Sequence, residues 1–357
     1  MESKIIIVTG ISGSGSKNFC EKYEPEGKKS KIYSTGNLIY RLAQEGIGEE
    51  TQIPKENLLN LHPYILSNLR DKAFETIISN LKEDKEKYDR IFIDMHAEFF
   101  WNHVYQNAYA WKYLNKIPAD MFVTIIDKPS AIKANQMKTP LGKSQNHNLR
   151  DILLWQNVEI NVTNGWASNY AKPMYVFSNK QNPETIDSLL ENSFLIYSSF
   201  PMTDADKEAT EKINNFKKRL RSCKKEIDGK ETPVIDPADI DIEKDYEISE
   251  NEKEAIYAQT VHRDLNWDIG QSTHVVAYYP NDKTELSKGV SDECTRARET
   301  GKFVYVICPR THQSPFMGIA HKVFKDEEEF FSFFKEHMKN ILEVFKRKNP
   351  KDICWQF

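Results

Sequence analysis

The stretch Val261–Pro309 restricts the fold of this chain more than any other. Two apolar runs within it, His274–Tyr279 and Phe303–Cys308, have the length and β-branched content of buried strands. Between them come a polar loop and a helix expected over Asp292–Thr300, with Gly301 in the position just past a helix end. Strand, loop, helix and strand in that order is the grammar of a parallel α/β sheet. Ligands of such sheets bind at the carboxyl ends of the strands. That rule places Ser287, Gly289 and Glu293 at the rim of a crevice, with Asp264 and Asp268 arriving from the preceding helix. Carboxylates converging on a Ser/Gly loop point to chemistry on a sugar phosphate.

A second such pattern fills the other half of the chain. Ile5–Val8 reads as a short buried strand, and Thr9–Lys17 follows it as a glycine-rich turn feeding a helix. Such a turn offers backbone N–H groups to phosphate, with the helix dipole assisting. The phosphate-loop form is G-x-x-x-x-G-K-[ST]. Gly10 and Gly15 fit it and Gly13 lies between them, but Ser16 takes the lysine position and Lys17 the hydroxyl position. The bland alternative is a βα turn with no ligand. Lys31–Ser34, Arg90–Asp94, Met121–Ile126 and Met174–Phe177 complete five strands alternating with helices. Asp94 ends one of them, where a carboxylate would sit near Mg²⁺.

At 357 residues the chain exceeds one ordinary core. The expectation is therefore an α/β protein of two doubly wound parallel-sheet domains, residues 1–192 and 193–357. A formal net charge of −4 leaves no basic excess to advertise nucleic-acid binding. The basic helix expected over Asp204–Ile227 is read as a solvated face. No apolar run approaches the ~20 residues that span a bilayer, and the start lacks the form of a signal peptide. Five scattered cysteines fit reduced thiols in a cytoplasmic protein and argue against structural zinc.

The loop GISGSGS, with IDMHAEFF, FVTIID and NLRDILLWQNVEI, resembles the archaeal type of adenylate kinase, a nucleoside monophosphate kinase. That resemblance covers roughly residues 1–192. It implies ATP and Mg²⁺ as ligands, with Arg150 as a lid arginine and Arg70 and Arg41 on the monophosphate side. His96 is then a residue that touches substrate or a satisfied buried histidine.

Residues 194–310 resemble the nucleoside deoxyribosyltransferase superfamily. The closer likeness is to the branch that hydrolyses the N-glycosidic bond of 2′-deoxynucleoside 5′-monophosphates. The likeness rests on Asp264-Leu265-Asn266-Trp267, Val275-Val276-Ala277 and Ser287–Glu293. It implies Glu293 as nucleophile, Asp264 as the acid that protonates the departing base, and Tyr197 as an active-site tyrosine. Ser287, Gly289 and Ser291 would hold the 5′-phosphate, and a homodimer is expected. Phe200 stands where that superfamily usually has glycine, which would narrow the phosphate site or fill the base pocket. Two other readings stay open. The chain is a nucleoside monophosphate kinase with a regulatory C-terminal domain, or a nucleotide-sensing module with both sites inactive.

Overall fold

The structure, a computed structural model, describes residues 3–45, 53–192, 194–201, 206–240, 248–282, 287–309 and 318–347. It is a mixed α/β fold with two five-stranded parallel sheets flanked by helices. The chain divides into two compact units.

The first unit holds residues 1–183 and 240–259. Its sheet contains β1 (Lys4–Thr9), β2 (Ser30–Ser34), β3 (Arg90–Met95), β6 (Met121–Ile126) and β7 (Met174–Ser178), ordered β2-β3-β1-β6-β7. Every pairing in it is parallel. Ile5, Ile6, Ile7 and Val8 are wholly buried, because both faces of a central parallel strand are covered by helices, which a continuous apolar run satisfies. The chain places β3 on one side of β1 and β6 on the other, so the strand order reverses at β1. That is where ligands of open α/β sheets bind, and the glycine-rich loop leaves β1 at its carboxyl end. An antiparallel hairpin, β4 (Glu98–Trp101) with β5 (Val104–Asn107), follows β3. Its short strands carry no sequence signal that separates them from a loop. The helix Leu149–Tyr170 starts at a reciprocal cap, Asn148 accepting from the Asp151 amide and Asp151 from that of Asn148.

The second unit holds residues 184–239 and 260–357. Its sheet joins β8 (Ile196–Ser199), β9 (Val234–Ile235), β10 (His274–Tyr278), β11 (Phe303–Ile307) and β12 (Lys322–Phe324), ordered β9-β8-β10-β11-β12. All its pairings are parallel too. The strand order therefore reverses between β8 and β10. β12 is three residues long, too short to stand out in the sequence. The helix Glu327–Arg347 lays Phe330, Phe331, Phe334 and Met338 against this unit's own core, beside Phe216 and Phe324.

The basic segment forms the helix Lys207–Ser222 and then the single turn Lys225–Asp228. Asp206 caps the helix by accepting from the Ala209 amide. Ala209, Ile213, Phe216 and Leu220 form its buried stripe. Phe200 also lies in that core, with the Lys217 ammonium 4.8 Å from its ring centroid. It is packed as a core side chain of this unit. Cys20, Cys223, Cys294 and Cys308 are buried and unbridged, and Cys354 lies outside the described residues. No helix among the described residues is long and apolar enough to cross a membrane.

Candidate functional site

β8 and β10 end side by side where the order of the second sheet reverses, and chemically active side chains gather there. Residues two apart on a strand share a face, so Tyr197 and Ser199 project together from β8. The helix Lys288–Glu299 brings Glu293 to them. The Tyr197 hydroxyl donates to Glu293 Oε1 at 3.0 Å. The Ser199 hydroxyl donates to Glu293 Oε2. Tyr197 and Ser199 are wholly buried, whereas Glu293 keeps part of its surface open. Burial pushes the Glu293 carboxyl up to about 7, with Asp264 adding to the rise and Ser199, Tyr197 and Arg263 opposing it. The Tyr197 phenol is pushed well above its ordinary range by burial and by the neighbouring carboxylates, and so stays a donor.

The segment Arg263–Asp268 is one turn of π-helix, a wider winding that often marks functional sites. Arg263 Nε lies 2.9 Å and Nη2 2.8 Å from Asp264 Oδ1, and Nε lies 3.6 Å from Asp268 Oδ2. All three residues are buried. Burial raises both aspartates, Asp268 well above its ordinary range, while the shared guanidinium pulls each back. One arginine thus faces two buried aspartates, with Glu293 electrostatically coupled to the group. Protons on these carboxyls belong to the group as a whole.

The residues expected to hold a phosphate lie at the start of the helix Lys288–Glu299. Ser287 is its N-cap, its hydroxyl accepting from the Val290 amide at 3.5 Å, while Gly289 and Ser291 are exposed. Lys288 is turned to solvent and paired with Asp292, and Arg296 donates to Asn266 at 3.0 Å. Residues 283–286, just ahead of Ser287, lie outside the described residues.

In the first unit the loop after β1 has the form of an anion nest. Gly13 and Gly15 have φ of 90° and 89°, a conformation that glycine adopts without steric cost. The Asn135 and Gln136 side-chain amides donate to the carbonyls of Gly13 and Ser12, at 3.0 and 2.7 Å. With its carbonyls so engaged, the loop leaves the N–H groups of Ile11, Ser12, Gly13, Gly15 and Ser16 without a partner among the described residues. Gly10 N–H is already taken by the fully buried Glu159, which also accepts from the amides of Ala97 and Glu98. Burial pushes the Glu159 carboxyl up to about 8 against these three donors.

Ser16 Oγ donates to Asp94 Oδ1 at 2.7 Å. A hydroxyl and a carboxylate so placed suit Mg²⁺, a cation that prefers hard oxygen ligands. The Lys17 amine is paired with Glu21 at 3.3 Å on the exposed face of the helix, near enough to Asp94 to favour its charged form. Arg150 is exposed, and Arg41 pairs with Glu45 at 3.5 Å. Arg70 is half-buried, its Nε enclosed without a hydrogen-bond partner. Beside the loop lies a cavity of ≈ 80 Å³, walled largely by aromatic side chains including Phe99, Phe100, Trp101 and Trp155. His96 and His147 also line it, each with one buried ring nitrogen unpartnered. Burial holds His96 neutral, down to about 4.

No protein-family model matches this chain, and none of the curated proteins matches it. The geometry therefore carries the functional argument. It brings Glu293, Asp264 and Tyr197 into one group, and Gly13, Gly15, Ser16 and Asp94 into another. Sequence reading missed Ser199, Arg263 and Glu159. Ser199 had a signal in its spacing, two residues after Tyr197 on the same strand face. Arg263 and Glu159 had none, since a lone charge in a helix reads as solvated until the packing is known.

Proposed function

We propose that the chain is a nucleotide-metabolising enzyme whose second unit cleaves, or exchanges, the N-glycosidic bond of a (deoxy)nucleoside 5′-monophosphate. The observation that carries this reading is the Glu293 carboxylate, held at both oxygens by buried hydroxyls beside the Asp264–Arg263–Asp268 group. Cleavage of a glycosidic bond passes through an oxocarbenium-like transition state and commonly uses two carboxylates. Glu293 attacks the anomeric carbon and forms a glycosyl ester as the bond to the base breaks. The departing base takes a proton from the aspartate group, with Asp264 as the donor. Water, or a second base, then attacks the same carbon, Glu293 leaves as carboxylate, and the incoming group's proton returns to the aspartates. Burial keeps part of Glu293 protonated near neutrality, and the protonated carboxyl is no nucleophile.

The first unit is proposed to hold a nucleotide through its loop amides, as the kinase resemblance implies. Ser16 and Asp94 are the residues that would hold Mg²⁺, which would neutralise phosphate charge. Ser16 stands where a phosphate loop has its lysine, and Lys17 is paired with Glu21, so the charge that stabilises a moving phosphoryl group is missing from its usual position. That favours binding over transfer as the role of this unit.

Incubation with each (deoxy)nucleoside monophosphate, followed by chromatography for free base, tests the reading. Base release that Glu293→Ala abolishes is the expected result. No release from any of them by the wild type sinks the proposal. ADP formation that needs Ser16 and Asp94 would move the activity to the first unit instead.

A further inference from the structure

Ser199 is the last residue of β8 and is wholly buried, and its hydroxyl donates to Glu293 Oε2 while Tyr197 serves Oε1. The contrast with its neighbour shows that this contact is not a general property of buried serines here. Ser198, on the opposite face of the strand, is equally buried, and its hydroxyl has no partner among the described residues. A glutamate side chain has three rotatable bonds, and one donor on each oxygen leaves it a single orientation. Each carboxylate oxygen also keeps a lone-pair site beyond the one occupied, so the bonds do not block attack on a substrate.

We propose that Ser199 is a positioning residue for Glu293: its hydroxyl, acting with that of Tyr197, fixes the carboxylate in one orientation and favours its charged form. Hydrogen bonds to a carboxylate stabilise the ion over the acid. Glu293 needs that help, because most of what surrounds it works the other way. Asp264 and Asp268 oppose its charge, and the Cys294 thiol on its own helix adds none of the opposite sign. Arg263 is a cation that faces it, already engaged by both aspartates. The two hydroxyls therefore add to the stabilisation that Arg263 gives the charged form. The catalytic half of this proposal rests on the N-glycosidase reading. The effect of the hydroxyl on the carboxylate does not.

The test titrates the full-length protein, free of substrate, by carbon NMR of side-chain-labelled glutamate. The Glu293 signal is identified by its loss in Glu293→Gln. Removing the donor in Ser199→Ala is expected to raise the midpoint by about one pH unit, a tenfold change in the ionisation constant. Ser199→Cys, a weaker donor of similar size, should fall between. A midpoint in Ser199→Ala within about 0.2 unit of the wild type overturns the proposal. If that variant does not fold, Ser199→Cys decides in the same way, by an upward shift or none. The acid limb of kcat/KM for base release should move upward by the same amount as the titration. A shifted titration with an unmoved limb overturns the catalytic half. If the wild type releases no base while the titration still shifts, the N-glycosidase reading fails and the contact's effect on the carboxylate stands.

Discussion

Glu293 is the residue on which the proposed chemistry turns, and its burial also links it to stability. Its folded-state carboxyl is raised from 4.5 to about 7, chiefly by burial. It therefore binds its proton more tightly folded than unfolded, and its contribution to stability is fully present below about pH 4.5. That contribution is lost as pH rises through about 7. Relative to Glu293→Gln, which cannot ionise, the wild type should lose on the order of 3 kcal/mol over that window. Urea unfolding of both proteins at stepped pH measures it, and parallel curves would refute it. The same substitution should lower base release by at least roughly a hundredfold, since an amide cannot form the glycosyl ester. Wild-type base release should rise with pH through about 7 as the carboxylate forms.

Among the elements, the loop after β1 makes the sharpest prediction. A Cβ on Gly13 would meet the Ile132 carbonyl oxygen at 2.9 Å, and the residue sits at φ 90°. Gly13→Ala should cost about 1–2 kcal/mol from backbone strain alone. It should also weaken ATP binding at least tenfold by turning the loop amides, measured by calorimetry. Unchanged affinity would mean that the nest is not the anchor. The cap at Asn148 gives a plainer case. Asn148→Ala should destabilise by about 1 kcal/mol, read as a lower midpoint in urea. The loop was legible in the sequence because glycine spacing and strand-to-helix context are both local. The hairpin β4–β5 and the three-residue β12 were not, because their pairing partners decide that they are strands.

At the scale of the whole molecule, the two units interleave along the chain. The helix Thr185–Glu191 belongs to the second unit, where the buried Lys224 donates to Ser188 at 3.1 Å. Residues 240–259 belong to the first, where Ile256 packs with Leu149 and Leu153, and Gln259 bonds Asn157. A single cut at 192/193 therefore removes packing from both. The piece 1–192 should be less stable than the same unit in the full chain, and Ile256→Ala should cost about 2 kcal/mol. Thermal melts of the fragment and the variant check both. A fragment as stable as the intact unit would show that the returning segment contributes nothing.

The sequence by itself determined the α/β class, the central strands and the glycine loop, because buried parallel strands and βα turns are written in contiguous residues. It also put Glu293, Asp264 and Tyr197 on one short list. Only the tertiary structure placed Ser199 against Glu293, Glu159 beneath the loop and Arg263 between two aspartates. Those contacts join residues from 61 to 149 positions apart, or depend on which way a π-turn points its side chains. It also turned Lys17 outward and buried Phe200. A side chain's partner, and with it its charge, is fixed by what the fold brings alongside.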